Sequence, residues 1–258
     1  MQYQAQGNWS LNWSIMSTAS PRPSNRLLAS LPRSAVSRLR PHLELVPVGL
    51  GQVLHQQRVP FEDVFFPTSA VVTLVIALKG GASGERGMIG NEGMVGTPLL
   101  LGADDADHQA VVQVAGEAYR LKFAPLKTEC ERSPKVLHLL LRYVRVLYVQ
   151  TGQAVVCNRY HSIEQQLSRW LLLTLDRVPS NEIHLTHEMI AKMLGVGRAG
   201  VTTAAVKLQN AGLIQYHRGT ITVLDRRGLK ARSCECYKKV RREIDRLVPM
   251  PAEQRGRR

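Results

Sequence analysis

The chain has 258 residues, enough for one large domain or two modest ones, and its 44% hydrophobic but only 5% aromatic content describes a globular protein rich in Leu, Val and Ala. No apolar run reaches the ~18–20 residues of a membrane helix, and MQYQAQGNWSLNWSIMSTASPRPS lacks the basic start and apolar block of a signal peptide, so a cytoplasmic protein without membrane contact is expected. The net charge of +14 sits at one end: residues 1–133 carry 12 Lys+Arg against 11 Asp+Glu, 134–179 carry six against two, and 180–258 carry sixteen against seven.

Residues 1–25 read as a disordered polar tail in which Met16 would serve as a start as well as Met1. Residues 26–133 are expected to form a sensor-like β domain. PVGLGQVLHQ, DVFFPTSAVVTLVIAL and QAVVQVAGEAYRLKF are β-rich and separated by KGGASGERG and the glycine-rich GMIGNEGMVGTPLLLG. Many short strands at this spacing argue an antiparallel barrel or sandwich, with Pro67 at a turn or edge and Gly116 at a turn.

From Ser133 and Pro134, a helix-start pair, a long helix is predicted to run towards Pro179. Leu137, Leu141, Val144, Tyr148 and Val155 line one seam at coiled-coil-like spacing, and a helix with so few charges must bury more than one face. The region 134–179 is therefore expected to hold a dimerisation helix and a hinge.

Residues 180–248 contain HEMIAKMLGVGRAGVTTAAVKL, two helical stripes interrupted by GVG. Thr186 is a fitting N-cap for the first helix. Ala191 is small where two steeply crossed helices must approach, and Gly195 suits the turn between them. Ile190, Leu194, Val201, Ala204 and Leu208 complete a shared core. Next, LIQYHRGTITVL predicts a β-hairpin about Arg218–Gly219, the wing of a winged helix. A basic winged helix-turn-helix in the most basic third of the chain is the footprint of a polyanion-binding domain, and its partner is expected to be double-stranded DNA. Thr186, His187, Arg198, Thr202, Thr203, Lys207 and Arg218 are the expected DNA contacts, with Arg198 able to read guanine through O6 and N7. Residues 249–258 read as a basic tail.

Four cysteines, Cys130, Cys157, Cys234 and Cys236, are too few and too dispersed for a disulfide scaffold. The Cys234/Cys236 pair has the look of a metal or redox motif. With no second pair or nearby His to complete a tetrahedral set, however, it reads as two reduced thiols on a helix, and no metal is predicted.

IGNEGMVG, CNRYHSIEQQLSRWLL, LTHEMIAKMLGVGRAGVT, LQNAGLIQYHRGTITVLDRRGL and CECY, in this order over roughly residues 26–248, resemble the Crp/Fnr family of bacterial transcription regulators. The resemblance implies an α+β protein: an N-terminal antiparallel β-roll (a cyclic-nucleotide-binding-like jelly roll), a long dimerisation helix and a C-terminal winged helix-turn-helix. It also implies a bacterial, nucleoid-associated homodimer on a near-palindromic operator, modulated by a signal in the roll, with RNA polymerase as partner if it activates.

The resemblance places a tentative effector pocket at Glu92, Gly93, Gly96, His108 and Gln109. His108 and Gln109 stand where cyclic-nucleotide-binding members carry arginine and its hydroxyl partner, beside Asp104, Asp105 and Asp107. With no guanidinium for the phosphate, cyclic AMP is not expected and no cofactor is predicted. No cysteine precedes Cys130, unlike the iron–sulfur members. His55, His108 and His138 are conceivable ligands for a haem or other group, each read as an ordinary surface or helix histidine. Ala199 and Thr203 replace the charged readers of the better-known members, so the operator is expected to differ from theirs. Two rivals stay open: a winged helix that binds a protein, and a redox or metal sensor using Cys234 and Cys236. No nucleophile–base pair, P-loop or dinucleotide motif supports an enzyme.

Overall fold

The computed structural model describes residues 24–178 and 180–248; the expected tails at residues 1–23 and 249–258 lie outside the described residues. Asn25, expected in the tail, is instead fully buried. Its side chain caps α1 (Arg26–Ala29), and its Nδ2 donates to the carbonyls of Pro67 and Gly93 at 2.8 and 2.9 Å. Helix α2 (Arg33–Leu39) and one 3-10 turn (Arg40–His42) follow and lead into the strands.

The β-roll is built from β1 (Glu44–Val48), β2 (Val53–His55), β3 (Asp63–Pro67), β4 (Val71–Ala77), β5 (Ser83–Ile89), β6 (Gln109–Val114) and β7 (Gly116–Lys122), with the short helix α3 (Thr97–Leu100) between β5 and β6. They form two antiparallel sheets, ordered β1-β7-β3 and β2-β6-β4-β5. The β-branched and aromatic runs of β3 and β4 are buried almost throughout, as expected of strands packed between layers. Pro67 closes β3, where the lost N–H costs no interior ladder bond.

Helix α4 (Phe123–Arg132) leaves the roll and α5 (Pro134–Tyr160) follows. The helix predicted to continue to Pro179 stops at Tyr160. Ser162 accepts from the Gln165 backbone N–H while the Gln165 side chain accepts from the Ser162 N–H, a capping box that starts α6 (Ile163–Leu175). The winged unit comprises β8 (Glu182–His184), α7 (His187–Leu194), α8 (Arg198–Asn210), β9 (Ile214–His217) and β10 (Thr220–Val223), and α9 (Arg226–Arg232) and α10 (Glu235–Leu247) complete the chain. The wing sheet is ordered β8-β10-β9. Helix α6 packs against α8 and α9 of the winged unit.

One continuous apolar core runs from Leu27 to Val248, with Trp170, Tyr143, Tyr237 and Phe66 its largest fully buried side chains. Within it α5 carries two apolar faces. Val136, Leu140, Tyr143, Val146 and Leu147 are buried. Leu141, Tyr148 and Val155 of the expected seam are exposed, at 39%, 79% and 67%, with Leu137 and Val144 half-buried beside them.

Candidate nucleic-acid interface

The Thr186 hydroxyl accepts from the Met189 N–H at 3.2 Å and starts α7. Gly195 ends that helix with φ 66°, and its N–H returns to the Ala191 carbonyl. A side chain there would be strained in this left-handed conformation, which is why glycine follows Leu194. Ile190, Ala191, Leu194, Val201, Ala204 and Leu208 are all buried between the two helices. Gly197 starts α8 without a side-chain cap, leaving its first N–H groups and the positive end of its dipole facing outward.

Arg198, Ala199, Thr202, Thr203, Val206 and Lys207 form the exposed face of α8. Thr202 and Thr203 donate to the carbonyls of Arg198 and Ala199 at 3.1 and 3.0 Å. Val206, 49% exposed, was not among the expected contacts, although its i+4 spacing from Thr202 marks the same face. An exposed valine there suits a thymine methyl.

His187 is held by the protein itself. Its Nδ1 lies 3.0 Å from Thr202 Oγ1, and its ring stacks on Tyr216 with centroids 4.1 Å apart. Burial and the nearby Arg198 charge lower its pKa, so near neutral pH it is an uncharged brace between α7, α8 and the wing. Thr186, Arg198, Thr202 and Tyr216 line a cleft of about 640 Å³ between α8 and the wing. At the wing tip Arg218 and Gly219 both take positive φ, 46° and 83°, the two-residue turn that matches strand twist, and Arg218 points into solvent.

Glu92, Gly93, Gly96 and His108, expected in the effector pocket, each meet other side chains of the protein. Glu92 is 3% exposed and bound by Arg177, whose Nε donates to Glu92 Oε1 at 2.8 Å. Gly93 lies against α5, where a Cβ would come within 2.2 Å of the Tyr143 hydroxyl, and Gly96 packs on Val64. His108 sits elsewhere, with Nδ1 2.7 Å from Asp107 and 3.2 Å from Arg86. The guanidinium expected to be lacking beside His108 is thus supplied by β5, but it is already matched to Asp107 at 2.8 Å. The surface or helix setting expected for His55 and His108 is corrected: they are 5% and 2% exposed, and His55 stacks on Phe61 at 4.3 Å. His138 is exposed on α5 as expected.

The cysteine expectation is corrected too. Folding brings Cys157 and His161 of the α5 terminus to Cys234 and Cys236 of the α10 start, with all four donor atoms within 4.8 Å of one another. The 77-residue separation of Cys157 and Cys234 hid this from a spacing argument. A hydrogen bond with Cys157 lowers the pKa of the Cys234 thiol, while burial raises that of Cys236.

Residues 165–232 match the Crp-like helix-turn-helix domain. No curated protein matches the sequence. Among solved structures, one from Eubacterium rectale, assigned to the Crp/Fnr family of transcriptional regulators, aligns at TM-score 0.63 and 18% identity over 80% of this chain and 96% of its own. FixK2 from Bradyrhizobium japonicum aligns at 0.62 and 14%, over 74% and 98%. The c-di-GMP responsive global regulator CLP of Xanthomonas campestris aligns at 0.61 and 14%, over 75% and 100%. The chain therefore carries a Crp-like helix-turn-helix domain within the fold of the Crp/Fnr transcription regulators.

Proposed function

We propose that the protein is a sequence-specific transcription regulator that binds a near-palindromic operator in double-stranded DNA as a homodimer. The observation that carries this reading is the outward face of α8, with Arg198 at its uncapped N-terminus, Thr202, Thr203, Val206 and Lys207 along it, and the wing Arg218 beside it. Free N–H groups and the helix dipole attract phosphate, and side chains of the first turns reach base edges in the major groove. The exposed stripe of Leu141, Tyr148 and Val155 on α5 supports the dimer. Three large apolar side chains in line on one helix are too costly to leave wet and suit a twin helix related by a two-fold axis. RNA polymerase is the further partner where the protein activates.

The roll receives a signal of unidentified chemistry. Asp107 already occupies Arg86, the guanidinium beside His108, so cyclic AMP is not the effector on this reading. Selection from a random DNA pool with the purified full-length protein tests the proposal. Enrichment of one motif with two half-sites roughly 34–36 Å apart is expected. Retention of all sequences alike, abolished by moderate salt, would overturn sequence-specific regulation.

A further inference from the structure

We propose that Cys157, His161, Cys234 and Cys236 bind one thiolate-preferring divalent metal ion, with Zn²⁺ the best fit, and that this ion staples the end of α5 to the start of α10. The argument begins with placement. Cys157 lies in the last turn of α5, and His161, four residues on, is the C-cap whose N–H returns to the Cys157 carbonyl. Cys234 is the residue before α10 and Cys236 lies in its first turn. Each helix thus contributes two donors from a terminus, where the side chains of two elements converge without crossing a core.

Distances distinguish a metal set from casual proximity. Bonds of about 2.3 Å to sulfur and about 2.0–2.1 Å to imidazole nitrogen, arranged tetrahedrally, put sulfurs about 3.8 Å apart and sulfur about 3.5 Å from nitrogen. Here Cys157 Sγ is 3.5 Å from Cys234 Sγ, and Cys236 Sγ is 3.7 Å from His161 Nδ1. The sulfur pair is far beyond the ~2.05 Å of a disulfide bond. Three sulfurs and one imidazole nitrogen suit Zn²⁺ over the oxygen-preferring Mg²⁺ or Ca²⁺.

The surroundings fit as well. The three cysteines are at most 3% exposed and form a cluster apart from the main core, the closed setting of a structural site. His161 turns Nε2 towards the Glu235 carboxylate at 3.3 Å, the outer contact that fixes which nitrogen faces a metal. Three thiolates, a dication and a neutral imidazole sum to one negative charge. Arg169, 4% exposed and close enough to favour the thiolates of Cys157 and Cys236, compensates it. Because α10 packs on both α5 and α6, an ion at this joint fixes the winged unit relative to the long helix.

The test uses reduced full-length protein and no DNA, so its outcome is independent of the regulatory reading. Elemental analysis is expected to find about one Zn per chain. Replacing it with Co²⁺ is expected to give the intense visible bands and near-ultraviolet charge transfer of a tetrahedral thiolate site. C234S/C236S is expected to lose both, with circular dichroism reporting whether it folds. E235Q keeps all four donors and is expected to retain the cobalt bands while losing about tenfold in affinity against a competing chelator, the low end for such outer contacts. Folded, reduced wild-type protein that holds no stoichiometric metal, or gives only the pale spectrum of hydrated cobalt, would overturn the site. So would a native Cys157–Cys234 disulfide found by mass mapping.

Discussion

Removing the Arg177 guanidinium is expected to loosen the joint between the winged unit and the roll, because Arg177 follows α6 and its partner Glu92 lies just beyond β5. Both are nearly sealed, with side chains 2% and 5% exposed, and Arg177 Nη2 approaches Glu92 Oε1 at 2.7 Å. Nη1 donates to the Leu173 carbonyl at 2.6 Å, and the aliphatic stem lies where a Cβ on Gly90 would come within 2.6 Å. Arg177→Ala leaves the Glu92 carboxylate without its bonded partner in a nearly sealed site, a loss of about 3–5 kcal/mol. Replacing both members, Glu92→Leu with Arg177→Met, removes the stranded charge, keeps the methylene volume and is expected to recover most of that loss. Urea unfolding followed by circular dichroism reads the difference. At a slope of about 3 kcal/mol per M, the single variant's midpoint falls by at least about 1 M. A fall under about 0.3 M for Arg177→Ala, or a double variant no better than the single, would refute the claim that this pair is dry and mutually dependent.

Arg198→Ala is expected to cost roughly 1–3 kcal/mol on the selected operator and relax preference at one base pair per half-site in competition binding. Arg218→Ala is expected instead to weaken all sequences alike and reduce the salt slope by about one per subunit. Leu141→Glu with Val144→Glu puts charges on the exposed stripe and is expected to give a folded monomer by light scattering, with operator binding lost. Burial lowers the pKa of His55 to about 4 from 6.5, aided by the charge of His108. The unfolded chain therefore binds the extra proton between pH 6.5 and 4, so stability is full above 6.5 and falls as pH drops through that window. His55→Phe is expected to flatten the melting temperature against pH there; an unchanged slope would show that another group is responsible.

The winged unit was legible because its constraints are local. Thr186, Ala191 and Gly195 lie within ten residues, and the turn at Arg218–Gly219 carries its own signal. The roll was legible as alternating β-rich runs but not in its pairing, since β1 pairs with β7 across some seventy residues of chain that no local pattern encodes. The long helix was overextended because Ser162 and Gln165 sit inside an apolar periodicity that continues on both sides; the capping box is a short signal and outweighs it. The buried pairing of Glu92 with Arg177, 85 residues on, is likewise beyond any local pattern. The same limit hid the four-donor cluster, whose members are adjacent only after α10 packs against α5.

Helix α5 is where these parts meet, and its polar residues tie it to the roll. Gln150, 2% exposed, accepts from the Met88 N–H at 3.0 Å and donates to the Met88 carbonyl at 3.1 Å, extending the β5 ladder into the helix. One residue on, the Thr151 hydroxyl donates to the Arg86 carbonyl at 3.0 Å. Higher up, the Tyr143 ring fills the space that Gly93 leaves open. Two buried amide bonds and a close ring contact tie the helix to β5 and to the loop after it, so neither slides without breaking them. The opposite faces of α5 carry the exposed seam and the Arg145–Glu243 pair, at 3.0 Å, that meets α10. A ligand or partner that shifts Arg86 or the loop at Glu92 therefore acts on a helix whose other faces set the proposed twin and the winged unit.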